Sequence, residues 1–212
     1  MFKQRSYLQK LVDRCEDQQL DFKFEVSDSK KIAKTMSAFA NTDGGTLLIG
    51  VKDNGTIAGV RTDEELYMVE AAANMYCKPE IPFTTRAWVE AGKTVLEVII
   101  PKNNEEIVTA LDSSGKWIAY LRVKDNNFMA NTVILQVWKR RRSGLGTLLR
   151  YTDKEKILLD YLNEFESVTI SKFGRIALIT REIAEHVLVN LIMLNIIEIV
   201  FDDQSIVYKL KK

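Results

Sequence analysis

Two adjacent glycines, Gly44 and Gly45, stand between a helical pattern and an unbroken apolar run, and this junction constrains the fold more than any other feature. Ahead of it Ile32, Ala33, Met36, Phe39 and Ala40 recur at helical spacing, and Ser27-Asp28-Ser29 supplies the capping chemistry that starts a helix. Behind it Thr46-Leu47-Leu48-Ile49-Gly50-Val51 reads as a buried strand. A helix that stops in Asn41-Thr42-Asp43-Gly44-Gly45 and enters a strand needs residues that accept positive φ, which glycine does. A buried strand beside a helix belongs to the packed layers of a domain with one core.

The flanking segments fill in those layers. Apolar Tyr7, Leu8, Leu11 and Val12 predict a first helix over 3–14. Residues 20–26 alternate strictly, predicting a strand with Leu20, Phe22, Phe24 and Val26 inward. Lys52-Asp53-Asn54-Gly55 is a strong hairpin signal leading into 56–60. Thr62-Asp63-Glu64-Glu65 is a capping box for a helix running to about Tyr76. A second hairpin is expected over 85–90 and 94–100, strands near 107–111 and 117–123, and a helix over 131–142. Hairpins mixed with helices indicate an α+β fold with a hairpin-rich mixed sheet.

The expected first domain is 1–142, and Ser143-Gly144-Leu145-Gly146 opens a linker over 143–150. Beyond it, helices over 153–165, 171–178 and from the capping Thr180 precede strands over 196–201 and 205–210, joined by Asp202-Asp203-Gln204. Three helices and a hairpin over 151–212 predict a small winged helix-turn-helix domain.

Composition adds limits. At 46% hydrophobic and 28% charged, the 212 residues suit a globular chain with its own core. Two cysteines, Cys15 and Cys77, without metal-ligand spacing, suit a reducing cytoplasm. The N-terminal residues lack a signal-peptide pattern, and no apolar run is long enough to span a membrane. Residues 139–212 carry 13 Lys+Arg against 10 Asp+Glu, so the positive excess lies towards the C-terminal end.

Glu16-Asp17-Gln18-Gln19-Leu20-Asp21-Phe22-Lys23, then the segment from Ser37 to Asp53 containing Ser-Ala-Phe-Ala-Asn-Thr-Asp-Gly-Gly, and then Tyr120-Leu121-Arg122-Val123, resemble the Schlafen AlbA-type domain over roughly residues 10–140. The resemblance implies a nucleic-acid partner, DNA or RNA, and with a winged-helix tail the layout of a DNA-binding transcriptional regulator. Such domains have also carried an AAA-type, ATP-binding label. Eukaryotic relatives include RNA endonucleases with three carboxylates at positions matching Glu16, Asp21 and Asp53, although Asp21 stands where the family usually has Glu. The resemblance thus offers Glu16, Asp21 and Asp53 as catalytic and metal-holding residues for Mg²⁺ or Mn²⁺, with a homodimer supplying a second half of the groove. The alternative for Asp53 is turn chemistry, and for Glu16 a solvated loop charge.

Lys23, on the same strand face as Asp21, and Arg122 are candidate phosphate contacts, as is the run Lys139-Arg140-Arg141-Arg142, which equally suits a solvated helix end. Lys172, Arg175 and Arg181 are candidates in the second domain. Its third helix is more apolar than one small core needs, so packing or dimerisation competes with DNA docking. His186 is the only histidine, which excludes a metal held by two histidines. Ala91-Gly92-Lys93-Thr94 imitates the end of a P-loop but leads into a strand, so ATP binding there is not expected.

Overall fold

A computed structural model describes residues 5–60, 64–144, 146–148, 151–202 and 205–211. The capping residues Thr62 and Asp63, the linker residue Leu145 and the turn residues Asp203 and Gln204 lie outside the described residues. The chain divides into two compact units, residues 1–129 and 130–212. No described helix is long and apolar enough to cross a membrane.

The first unit is α+β. Helix α1 (Tyr7–Asp13) is shorter than its sequence pattern, and Ser6 caps it by accepting the Gln9 N–H at 3.1 Å. Strands β1 (Leu20–Lys23), β2 (Gly45–Ile49), β4 (Thr84–Glu90) and β5 (Lys93–Ile100) form a sheet in the order β1-β2-β5-β4, with β1 and β2 parallel and the other pairs antiparallel. Strands β3 (Cys77–Lys78), β6 (Thr109–Leu111), β7 (Trp117–Val123) and β8 (Asn126–Met129) form a second, antiparallel sheet. Helix α3 (Glu64–Asn74) lies in the chain between β2 and β3. The two-residue β3 and the polar β8 carry no periodic signal, so the sequence pattern does not announce them.

Helix α2 (Ser29–Asn41), capped by Asp28, runs through the middle. Ile32, Ala33 and residues 35–40 are all buried, so α2 is covered on nearly every side. Leu47, Ile49, Val98 and Ile100 of the first sheet share a core with its apolar residues and with Val108, Ala110 and Tyr120 from the second sheet segment. On the other face of the first sheet, Leu20, Phe22, Leu48 and Val95 pack with Leu8 and Leu11 of α1. The order of layers is therefore α1, sheet, α2, sheet.

The glycine junction is fitted as its composition requires. Gly44 has φ +70°, and its N–H bonds the Phe39 carbonyl at 2.9 Å. A Cβ on Gly45 would stand 2.4 Å from the Phe39 ring. Both glycines thus serve the tight exit from α2, and the Gly44 amide is already used.

The second unit begins earlier than expected. Helix α4 (Thr132–Ser143), which its sequence position assigns to the first domain, puts Val133 and Val137 into the core of the second unit. Asn131 secures it twice, accepting the Ile134 N–H at 3.0 Å and donating to the Tyr208 hydroxyl at 3.0 Å. Helices α5 (Asp153–Glu164), α6 (Ile170–Ile176) and α7 (Arg181–Met193) follow, then the antiparallel pair β9 (Ile197–Asp202) and β10 (Ser205–Leu210). Ala184, Val187, Leu188, Val189, Leu191 and Ile192 of α7 are all buried. The apolarity of α7, excessive for a core of three helices, is used up once α4 covers it. A fragment of residues 130–212 should therefore unfold cooperatively, whereas 147–212, stripped of α4, should bind a hydrophobic dye and lose its sharp thermal transition. Equal stability of the two fragments would contradict this packing.

Candidate functional site

Strand β1 carries a buried carboxylate, Asp21. Parallel pairing with β2 places Leu20 and Phe22 towards α1 and turns Asp21 and Lys23 to the opposite face. Asp21 is only 3% exposed there, and the inward series predicted for β1 ends early, since Phe24 is outside the strand and exposed. A carboxylate taken out of water needs cations and donors. Arg122 of β7 supplies the first, its Nη2 lying 3.0 Å from Asp21 Oδ1. Lys23 supplies the second, its Nζ 2.6 Å from Oδ2. The Lys23 ammonium also donates to the Phe22 carbonyl at 2.7 Å, and its contact with Oδ2 is an ion pair without hydrogen-bond alignment.

Arg122 is the correction to the expected phosphate contacts. It is 2% exposed and its donors are spent inside the protein. Besides Asp21, Nη2 donates to the Leu20 carbonyl at 3.0 Å, Nε to the Asp17 carbonyl at 3.2 Å and Nη1 to Asn127 Oδ1 at 3.2 Å. Its guanidinium lies 5.1 Å from the Phe39 ring centroid, a cation–π contact with α2. Gln18 reinforces the same junction, donating to the Arg122 carbonyl at 2.8 Å while its Oε1 accepts the Lys124 N–H at 2.8 Å. Asn41 does similar work further along, bonding Val108 through both backbone groups and donating to the Tyr120 carbonyl.

Glu16 stands next to this pair. Its Oε1 accepts the Phe22 N–H at 2.7 Å. Burial raises its carboxyl above the ordinary glutamate range, and the Phe22 N–H opposes the shift while the neighbouring Asp21 charge adds to it. Glu16 and Asp21 are thus brought together, but Asp53 is not added to them. It is an exposed residue of the 52–55 turn. Among the described residues no three His, Cys, Asp or Glu side chains are grouped to hold a metal ion. Mg²⁺ or Mn²⁺ demands several oxygen ligands, and both Asp21 oxygens already face protein cations. The expected three-carboxylate centre does not fit this arrangement.

The remaining candidates lie in the second unit. Arg140 is tied to α7, donating to Asn190 Oδ1 at 2.5 Å with Nη2 3.5 Å from His186 Nδ1. Arg181 pairs with the buried Glu185 at 2.9 Å. Lys139, Arg141, Arg142, Lys172 and Arg175 are exposed, and no carboxylate of the described residues pairs with any of them. The P-loop look-alike is the turn between β4 and β5, with Ala91 at φ 49° and Gly92 at φ 76°, and Lys93 donates to the Ile57 carbonyl at 2.8 Å. No helix N-terminus follows it, so it makes no phosphate cradle.

The first unit is thus an α+β domain whose signature charges turn inward to join two sheets. A family model described as "Schlafen, AlbA_2" matches residues 16–131, and the chain belongs to that family. The match ends within two residues of the boundary between the units. Among solved structures the chain is similar to the DIP2311 protein from Corynebacterium diphtheriae, at 22% identity and a TM-score of 0.46, over 64% of this chain and 29% of that one. It is also similar to the N-terminal domain of a RecG-related protein from Nitrosomonas europaea, at 22% identity and a TM-score of 0.33, over 47% of this chain and 74% of that one. No curated protein matches the chain.

The raised Glu16 pKa has a definite sign. An acid whose pKa is raised by folding stabilises the fold fully below its ordinary pKa, and that contribution is lost as pH rises through the raised value. Glu16→Gln keeps an acceptor for the Phe22 N–H and has no proton to lose. Its denaturant stability should fall less than that of the wild type as pH rises out of the ordinary glutamate range. Identical pH profiles would show that folding does not perturb Glu16.

Proposed function

We propose that the protein binds nucleic acid through its phosphate backbone, with the second unit acting as a winged-helix DNA-docking module of the kind found in transcriptional regulators. The observation that carries this reading is the set of five exposed cations, Lys139, Arg141, Arg142, Lys172 and Arg175, left without acidic partners among the described residues. Cations so placed are free to release counterions from a polyanion, the main source of affinity for nucleic acid. The order α5, α6, α7 and the β9–β10 hairpin supports the winged-helix assignment, and membership in the Schlafen AlbA_2 family supports the nucleic-acid partner.

The same geometry argues for backbone holding over base reading. Arg181, at the start of α7, is engaged by Glu185, and Glu182 lies beside it. Acidic groups at a groove-facing helix end repel phosphate and add little direct readout. Fluorescence anisotropy with random-sequence duplex DNA at several salt concentrations tests the reading. Binding should weaken steeply with salt, and replacing Lys139, Arg141 and Arg142 together by glutamine should flatten the log–log slope by about 0.9 for each phosphate no longer neutralised. Salt-insensitive binding, or none, would overturn it.

A further inference from the structure

We infer that the first unit carries a separate platform for single-stranded nucleic acid, built around the β6–β7 hairpin, with Trp117 as the base-stacking surface and Lys78 and Lys30 as phosphate contacts. This rests on the nucleic-acid reading above and names a second site and substrate class for it.

Trp117 opens β7 opposite Leu111 and is 41% exposed. The Lys78 ammonium lies over its ring, 5.2 Å from the centroid. Lys30 reaches the same hairpin end, with Nζ 3.3 Å from the Asp112 carbonyl and 5.9 Å from the Tyr76 ring centroid. Tyr76 is held there because its carbonyl accepts the Leu111 N–H at 2.9 Å. Neither lysine has a carboxylate partner among the described residues. The neighbouring Asp112 is occupied by its own turn, accepting the Ser114 N–H and hydroxyl and the Lys116 N–H.

Aromatic faces interleaved with unpaired cations are what a single strand requires. Its unstacked bases offer their own faces, whereas those of a duplex are covered by neighbouring base pairs. Lys78 parked on an exposed indole is a weak contact compared with a stacked base. A base taking its place frees the ammonium for the adjoining phosphate.

The full chain and its Trp117→Ala and Trp117→Phe variants can be titrated by anisotropy against oligo-dT, oligo-U and a duplex, each about 12 nucleotides long, within the range of single-strand site sizes. Circular dichroism checks that each variant is folded. Trp117→Ala should weaken single-strand binding roughly ten- to hundredfold and leave duplex binding unchanged, while Trp117→Phe should retain most of the affinity. The two oligomers report whether DNA or RNA is preferred. Single-strand affinity unaffected by Trp117→Ala overturns this inference even if salt-sensitive duplex binding persists. Loss of duplex binding alone, with single-strand binding still dependent on Trp117, would instead fail the winged-helix reading and leave this one standing.

Discussion

The first unit depends on one buried ion pair. Asp21 leaves the first sheet on the side facing α2, Arg122 arrives from the second sheet, and they meet at 3.0 Å with both side chains almost wholly buried. Two charges withdrawn from water repay their desolvation only when every remaining donor and acceptor is satisfied. Here the Leu20 and Asp17 carbonyls, Asn127 and the Phe39 ring complete the shell of the arginine. On the aspartate side Lys23 faces Oδ2 as an ion pair, which leaves that oxygen without an aligned hydrogen bond, and Glu16 lies beside it. A pair of this kind is a poor source of net stability, and it fixes the point at which β1 of the first sheet meets β7 of the second.

This arrangement gives the family's signature residues a physical explanation. Gln18 and Asn41 clamp the second sheet's backbone, Gly44 and Gly45 allow the tight exit from α2, and Arg122 neutralises Asp21. Those positions hold layers together. Outside the signature, several lysines and arginines face solvent without a carboxylate partner among the described residues, such as Lys78 beside Trp117 and Lys139, Arg141 and Arg142 at the end of α4.

The layered α+β fold was legible because long periodic segments and the double glycine specify it locally. The hairpin of β4 and β5 and the helices α5 to α7 were legible for the same reason. What failed depended on partners distant in sequence. Strict alternation over 20–26 gives no warning that an arginine a hundred residues later will bury Asp21. A basic run at the end of α4 looks like the close of a domain, whereas Val133 and Val137 on its other face belong to the core of α7. The three carboxylates suggested by resemblance form no group among the described residues: Asp53 is exposed in its turn, and Asp21 pairs with Arg122. The Lys78–Trp117 pair was invisible, since β3 is too short to announce itself.

A double-mutant cycle between Asp21 and Arg122, read by denaturant unfolding, tests the account most directly. Asp21→Asn and Arg122→Met should each cost about 3–5 kcal/mol, because the first leaves Arg122 buried without its carboxylate and the second leaves Asp21 with Lys23 as its one cation. The double variant should be far less destabilised than the sum of the two, giving a coupling of several kcal/mol. Single substitutions that cost under about 1 kcal/mol and simply add would mean that the two charges behave as a solvated surface pair, and would contradict the structure's central junction.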